Sequence, residues 1–426
     1  MLRRKEVITL SLAVSALFLS GPIPMPAMAT GPAPTDDRAA SQAPWKPPVR
    51  LAPRSPVFGH DAAASNAIAA TAWASSNQAL RARVRVPGEG WLRTVRLGAA
   101  TADNPSIAVN ARGGVAVAWM EYRGDEELLR VARRPAGAGW TRPKTLYRGT
   151  PAFGTDAPDV SIGPLGKSTV AISISRRFHV NPPRPLAFTF ADGRWSRAVE
   201  LTSRPSHSVR VVTGPNGRVT AAWVTNRGAR CTAHGSGSSW TRPICRDKPG
   251  SLGLGLAVDA AGRVYLMNGV GIWSAAPGAR WHREPVPGGA LDAFDQFSFS
   301  IDAAAPGRAV AAWSQGVQTG RDTIDWTMYA SVRRSDGTWT RRAHLANRPD
   351  PSAAISGEGT AFVAWSGDAG IRVARKVTGH QWSDPPAIVG QPESYAPRLA
   401  ANRNGDALLV FRRPITRPSV WAAWRP

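Results

Sequence analysis

From about residue 58 onward, apolar and polar residues alternate in short stretches cut by glycine and asparagine, and the same cycle returns until the chain ends. One cycle reads PSIAVN, a tight turn, VAVAW, LLRVARR, a glycine turn and WTRPKTL, between residues 105 and 146. Alternation with a period of two predicts β-strands, four per cycle. In the second strand, Val115, Val117 and Trp119, repeated as Val219, Ala221 and Trp223, predict one buried face. Trp73, Trp313 and Trp365 hold the place of Trp119, while Ile172, Asn268 and Phe411 replace it in three units. A second tryptophan opens the last strand of each unit as Trp91, Trp140, Trp195, Trp240, Trp281, Trp339 and Trp382, at spacings of roughly forty to sixty residues. Short strands repeated at such a period are the pattern of propeller blades, because one blade cannot bury both of its faces alone.

The first turn of each unit has its own chemistry. Asn110-Ala-Arg-Gly113, Asp259-Ala-Ala-Gly262, Ser356-Gly-Glu-Gly359 and Asn402-Arg-Asn-Gly405 begin with a short polar side chain that can bond the turn backbone. They end in glycine, which tolerates the left-handed geometry needed to re-enter a strand. Gly214-Pro-Asn-Gly217 is a close variant. These are expected to be hairpin turns and not ligand loops.

Seven complete units run to about residue 390, and an eighth begins at Tyr395 but lacks its last strand. APWKPPVRL, residues 43 to 51, matches WTRPKTL with Trp45 in the tryptophan position, so the N-terminal segment is expected to complete the last blade and remove an exposed edge. The fold expected is all-β: a single-domain β-propeller over residues 43–426 with eight four-stranded blades, seven being the alternative. The fifth unit, near residues 256 to 281, is the shortest and weakest.

The segment before the repeat is of another kind. A basic start, an apolar run from Val7 to Ser20 and the small residues Ala27-Met28-Ala29 read as a secretory signal peptide, 1–29, cleaved after Ala29. Residues 30–42 read as a disordered leader. No segment is long and apolar enough to span a membrane, so a secreted, monomeric protein is expected. Cys231 and Cys245 flank a predicted hairpin, and a disulfide between them fits export. The net charge of +24 creates a positive field that attracts polyanions. Only six of the 53 basic residues are lysine, which resembles the drift of a GC-rich genome and leaves a scattered solvated surface as the other reading of that charge. The paired arginines Arg133-Arg134 and Arg333-Arg334 are expected on a solvated blade edge.

SDGTWTRRAHL, 335 to 345, and ADGRWSRAVEL, 191 to 201, resemble the Asp-box turn of sialidase-like (BNR-repeat) propellers, in which the pattern Ser-x-Asp-x-Gly-x-x-Trp joins the third and fourth strands. Asp336, Gly337 and Trp339, and Asp192, Gly193 and Trp195, keep its ending with one residue fewer before the tryptophan. The resemblance implies a propeller, of six blades in that family. For an active member it implies three arginines on a substrate carboxylate, a tyrosine nucleophile assisted by a glutamate, and an aspartate acid/base. Tyr395 is the only tyrosine at the expected channel mouth.

Aligning the units puts Asp103, Asp156, His207, Asp295 and Tyr395 at equivalent positions just before the first strand, with Asp350 one position later and His60-Asp61 in the same loop of the first unit. Clustered carboxylates there can do acid/base work, although Asp before Pro is also ordinary turn chemistry. Arg210 and Arg398 occupy the place of Ser106, where a guanidinium can clamp a carboxylate or sulfate or pair with the aspartates. The longer insertions at 176–186 and 315–325 are expected in loops on the same face, which makes His179, Arg184, Arg321 and Asp325 candidates for recognition.

With seven scattered histidines, no metal site is expected. Neither a phosphate-cradling glycine loop nor a serine nucleophile elbow is found, and no cofactor is expected. The function expected is binding of an extracellular polymer, an acidic glycan or cell-envelope material, through the channel face without catalysis. A glycoside hydrolase or lyase of the sialidase-like group and a protein-binding envelope scaffold are the alternatives. No specific nucleic-acid partner is expected.

Overall fold

The computed structural model describes residues 44–52, 57–75, 78–99, 101–150, 156–174, 183–237, 239–246, 253–286, 296–320, 323–383, 386–413 and 419–426. The expected signal peptide and leader lie outside them. The strands form eight antiparallel sheets, the blades. Their innermost strands are Val57–Ala64, Ala102–Val109, Asp159–Ile162, Ser206–Thr213, Gly255–Val258, Gln296–Ala303, Ser352–Ile355 and Tyr395–Ala401, for blades 1 to 8 in turn. Each blade then runs outward strand by strand, and the innermost strand of blade 8 meets that of blade 1, so the ring closes. One axial cavity of about 340 Å³ is lined by residues of all eight blades, from Ser65 in blade 1 to Asn402 in blade 8.

Blade 8 is completed as expected. Val49–Arg50 pairs with Ser419–Arg425 in the register Val49↔Ala422 and Arg50↔Trp421. Lys46 N–H donates to Trp424 O and Leu51 N–H to Val420 O, both at 2.8 Å. The weak fifth unit is a full blade built from very short strands, down to His282–Arg283 at its rim.

The core is a set of eight interfaces between blades. Ile68, Leu80 and Val84 of blade 1 pack with Val115, Val117 and Trp119 of blade 2. Ala116, Ala118 and Met120 of the same blade 2 strand pack instead with Val160, Ile172 and Phe188 of blade 3. The last interface joins Val410 and Ala422 of blade 8 to Trp73 of blade 1. This corrects the expectation of one buried face. Every residue of the second strand from Val115 to Met120 is buried, and the alternation separates a face toward one neighbour from a face toward the other. Both faces are packed because each must interdigitate with a neighbouring blade at near-crystalline density.

Turn chemistry follows the sequence. Asn110 Oδ1 accepts from Arg112 N–H (3.1 Å) and Gly114 N–H (2.8 Å), and Asn402 Oδ1 accepts from Asn404 (2.9 Å) and Asp406 (3.0 Å). Gly113 and Gly405 close these turns at φ of 84° and 92°, where a Cβ is disfavoured. The disulfide joins Cys231 to Cys245 directly across paired strands, and a loop of that size is worth about 3 kcal/mol in the chain-entropy view.

The paired arginines are only partly a solvated edge. Arg333 is buried, with Nε donating to Glu284 Oε2 (3.2 Å) and Nη1 to Gly307 O (2.7 Å), while Arg133 lies 3.6 Å over the Phe190 ring of blade 3. Arg85 over Trp424 (4.3 Å) and Arg230 over Trp273 (3.3 Å) bridge other interfaces in the same way. Part of the arginine excess is therefore material between blades. Arg134 and Arg334 remain at the surface.

Trp119 is fully buried, whereas Trp140, at the rim of the same blade, is half-buried. Trp119→Ala is expected to cost about 3–5 kcal/mol and Trp140→Ala clearly less, as measured by urea unfolding.

Candidate functional site

One position of the innermost strand recurs in all eight blades, opposite the residue that precedes the second-strand tryptophan or its replacement. Its occupants are Asp61, Ser106, Asp159, Arg210, Gly255, Ser300, Ser352 and Arg398. In five blades its oxygen accepts the backbone N–H of the next blade. Asp61 Oδ2 accepts from Ile107 (3.0 Å), Ser106 Oγ from Val160 (3.2 Å), Asp159 Oδ2 from Val211 (2.6 Å), Ser300 Oγ from Ala353 (3.0 Å) and Ser352 Oγ from Leu399 (2.9 Å). A short acceptor at this place latches each inner strand to its neighbour.

Three blades break the pattern. Gly255 has no side chain, and Arg210 and Arg398 carry donors where the latch needs an acceptor. Arg210 Nη1 donates to the Val209 carbonyl (3.0 Å) and Arg398 Nη1 to that of Pro397 (3.1 Å). Among the described residues neither is in an ion pair, and Arg398 is exposed.

Just before this ring, the strand entries are bulged. The register shifts between Asp103 and Ser106, His207 and Arg210, and Tyr395 and Arg398. Two residues ahead of the latch position, Asn104, Ser208, Asp350 and Ala396 hold left-handed φ of 47°, 55°, 58° and 51°. Non-glycine residues adopt this conformation at a cost and only where the surroundings impose it, and bulges re-aim the side chains beside them. Asp103, His207 and Tyr395 stand one residue further out, and Asp156 precedes Asp159 by the same three residues.

The charges fall into two groups. In blades 8, 1 and 2, Arg412 Nε donates to His60 Nδ1 (3.1 Å), and its guanidinium lies 5.9 Å from the Tyr395 ring centre. Burial, and then Arg398 and Arg412, hold the His60 imidazole well below its usual range, so it is neutral. Burial pushes the Asp61 carboxyl up to about 6, opposed by its bond from Ile107 and by the Arg398 charge. In blades 3 and 4, Asp156 accepts from the Ser208 N–H, and burial raises both Asp156 and Asp159 against the pull of Arg210.

The remaining candidates separate from this ring. Arg184 begins the third strand of blade 3 and pairs with Glu200 at 2.9 Å, two strands out from the channel, because its segment is strand and not loop. The 315–325 insertion is mostly an extension of two strands, Ala309–Gln318 and Ile324–Arg333, with Asp325 exposed opposite Val317. His60 and Asp61 likewise lie in the inner strand and not in a loop. Asp295, Arg321 and His179 lie outside the described residues. The sequence reading passed over Asp159, the serine latches and Arg412. Asp159 aligns with Ser106 in the same way that Arg210 does, so the signal was present.

Among the described residues, no group of His, Cys, Asp and Glu has the geometry to hold a metal ion, and no helix is long and apolar enough to cross a membrane. No protein-family model and no curated protein matches the chain. Its fold is that of an eight-bladed β-propeller. Among solved structures it is similar to the BP39L lectin from Burkholderia pseudomallei, with a TM-score of 0.52 and 16% identity over 80% of this chain and 100% of that one. It is also similar to an ulvan lyase bound to a GlcA(1-4)Rha3S unit, with a TM-score of 0.51 and 10% identity over 88% and 95% of the two chains. At these identities the likeness is one of fold.

Two measurements test the ring. Ser352→Ala leaves the buried Leu399 N–H without its partner and is expected to cost about 1–3 kcal/mol in urea unfolding. Asp61 takes its proton near 6 when folded but near 3.8 in its unperturbed state. The folded protein therefore binds that proton first, and stability attributable to Asp61 rises as pH falls. Between pH 7.5 and 5 the wild type is expected to gain about 1 kcal/mol relative to Asp61→Asn.

Proposed function

We propose that this protein is an exported carbohydrate-binding propeller that takes an acidic glycan at the mouth of its channel, without catalysis. One observation carries the reading: Arg210 and Arg398 replace a structural acceptor that five other blades retain. Each replacement gives up a latch between blades and places a guanidinium with unused donors at a rigid, bulged strand entry. A guanidinium presents a planar fork that matches a carboxylate or sulfate. Support also comes from the fold, since a lectin and a polysaccharide lyase are built on similar rings. The leader sequence and the Cys231–Cys245 disulfide support export.

A glycosidase of the sialidase-like group is the second reading, favoured by the Asp-Gly-x-Trp turns and by the raised carboxyl of Asp61. In one of these turns Asp336 Oδ1 accepts from the Thr338 N–H (2.8 Å), which is a structural role. Asp61 is also committed to the backbone, with Oδ1 accepting from Ala62 N–H (2.9 Å) and Oδ2 from Ile107. Binding therefore takes precedence over acid/base chemistry.

The test is a glycan-array screen of the mature chain at low and high salt beside the Arg210→Ala/Arg398→Ala double variant. Selective binding to acidic glycans that persists in salt and falls at least tenfold in the variant is expected. Broad binding that vanishes with salt and ignores both arginines would reduce the charge to a diffuse field and remove the channel site.

A further inference from the structure

A second departure from the repeat lies on the opposite face, where the first and third turns of blades 6 and 7 enclose a cleft of about 220 Å³. Its cationic lining includes Arg308, Arg334 and Lys376. Lys376 ends the third strand of blade 7 and pairs with Ala361, the first residue of the second strand. Blades 1, 2, 6 and 8 place Arg85, Arg134, Arg333 and Arg425 at the same point of the repeat. There Arg85 lies over Trp424 (4.3 Å), Arg333 bonds Glu284 (3.2 Å) and Arg425 lies over Phe362 (5.5 Å), so these three cations are met by an aromatic ring or a carboxylate of a neighbouring blade. Lys376 has neither. Its ammonium donates to the His380 carbonyl, and burial together with the nearby Arg334 charge lowers its basicity.

The other two cations form no ion pair among the described residues, although the Arg334 charge acts on the nearby Asp336 carboxylate. Arg308 reaches across the blade boundary, its Nη1 donating to Glu358 O (2.9 Å) and Thr378 Oγ1 (2.8 Å). Gly359 makes room for it, since a Cβ there would come within 1.8 Å of Nη1. Arg334 is exposed at the rim. The single carboxylate in the lining, Asp336, is fully exposed and its Oδ1 is engaged by both the N–H and the hydroxyl of Thr338 (2.8 and 2.7 Å). Three cations converging on a cleft, Arg308 and Lys376 partly buried, outweigh the single charge of Asp336 and leave a net positive potential. A volume of this size holds about seven waters, enough for an oxyanion and the edge of a sugar ring that carries it.

We propose that the cleft between blades 6 and 7 is an oxyanion subsite for a sulfate or carboxylate group carried on a saccharide, with Arg308, Arg334 and Lys376 as its donors. The saccharide carrier rests on the function proposed above; the oxyanion site itself does not. A polymer engaging both faces would gain from linked binding events more than either site provides alone.

Isothermal titration calorimetry of the full mature chain tests this, first with sodium sulfate against chloride at constant ionic strength, then with a sulfated, a uronic and a neutral disaccharide. Sulfate and one anionic disaccharide are expected to bind and the neutral one not, which also identifies the anion's source. Arg334→Ala and Lys376→Ala are each expected to weaken binding at least tenfold, and Gly359→Ala to weaken it by displacing Arg308, with folding checked by circular dichroism. The component of sulfate binding that Arg334→Ala and Lys376→Ala remove is expected to persist in the Arg210→Ala/Arg398→Ala variant, which tests the channel site separately. Sulfate binding without any disaccharide binding would keep the oxyanion site and overturn its saccharide carrier. Binding lost only in the Arg210→Ala/Arg398→Ala variant would overturn the cleft and leave the channel reading standing. No anion binding, or binding indifferent to Arg334 and Lys376, would overturn the proposal.

Discussion

Everything in this molecule depends on the second strand of each blade being buried on both faces. A single blade presents two apolar faces and cannot bury both of them alone. Val115, Val117 and Trp119 are therefore useful only if blade 1 is present, and Ala116, Ala118 and Met120 only if blade 3 is. Carried around eight interfaces, this requirement sets the ring and leaves its inner strand entries as the places where a blade can vary at lower cost to the core.

The latches show how that freedom is used. A serine or aspartate at the recurrent inner position serves the neighbouring backbone, and burial there, with the Asp159 charge beside it, raises the pKa of Asp61. A shifted carboxyl in this ring is therefore primarily a sign of structure. Departures carry more information, because Arg210 and Arg398 give up the latch that five blades make, and Lys376 lacks the ring or carboxylate that meets Arg85, Arg333 and Arg425. The arginines that stay within the pattern, such as Arg133 over Phe190, explain why so basic a chain keeps much of its cationic surface inside interfaces.

The ring and its closure were legible because they rest on local rules. Alternation marked the strands, Asn110 and Asn402 marked the turns, and the unpaired eighth unit with its Trp45 match implied Val49–Arg50. Equivalence of Asp103, His207 and Tyr395 was legible for the same reason, since a repeat carries its own alignment. Period two alone does not say whether the second face meets solvent or another sheet, so the two-sided burial was missed. Nor does it report a side chain's partner in the next blade. Arg184, read as a recognition residue, is held by Glu200 across adjacent strands, and Arg333 by Glu284 some fifty residues earlier. The first pairing exists only once the blade has folded, and the second only once blades stack.

The closing strand also imposes an order on events. Val49–Arg50 cannot find its place until Ser419–Arg425 exists, so the contact with nearly the greatest separation along the chain is the one that seals the ring. Until the last residues are made, every partial chain is an open crescent with two bare blade faces and an unpaired sheet edge, the states most prone to misassociation. Contacts this remote are slow to form. The strand that finishes the architecture therefore precedes every blade of the ring along the chain and waits for the last of them.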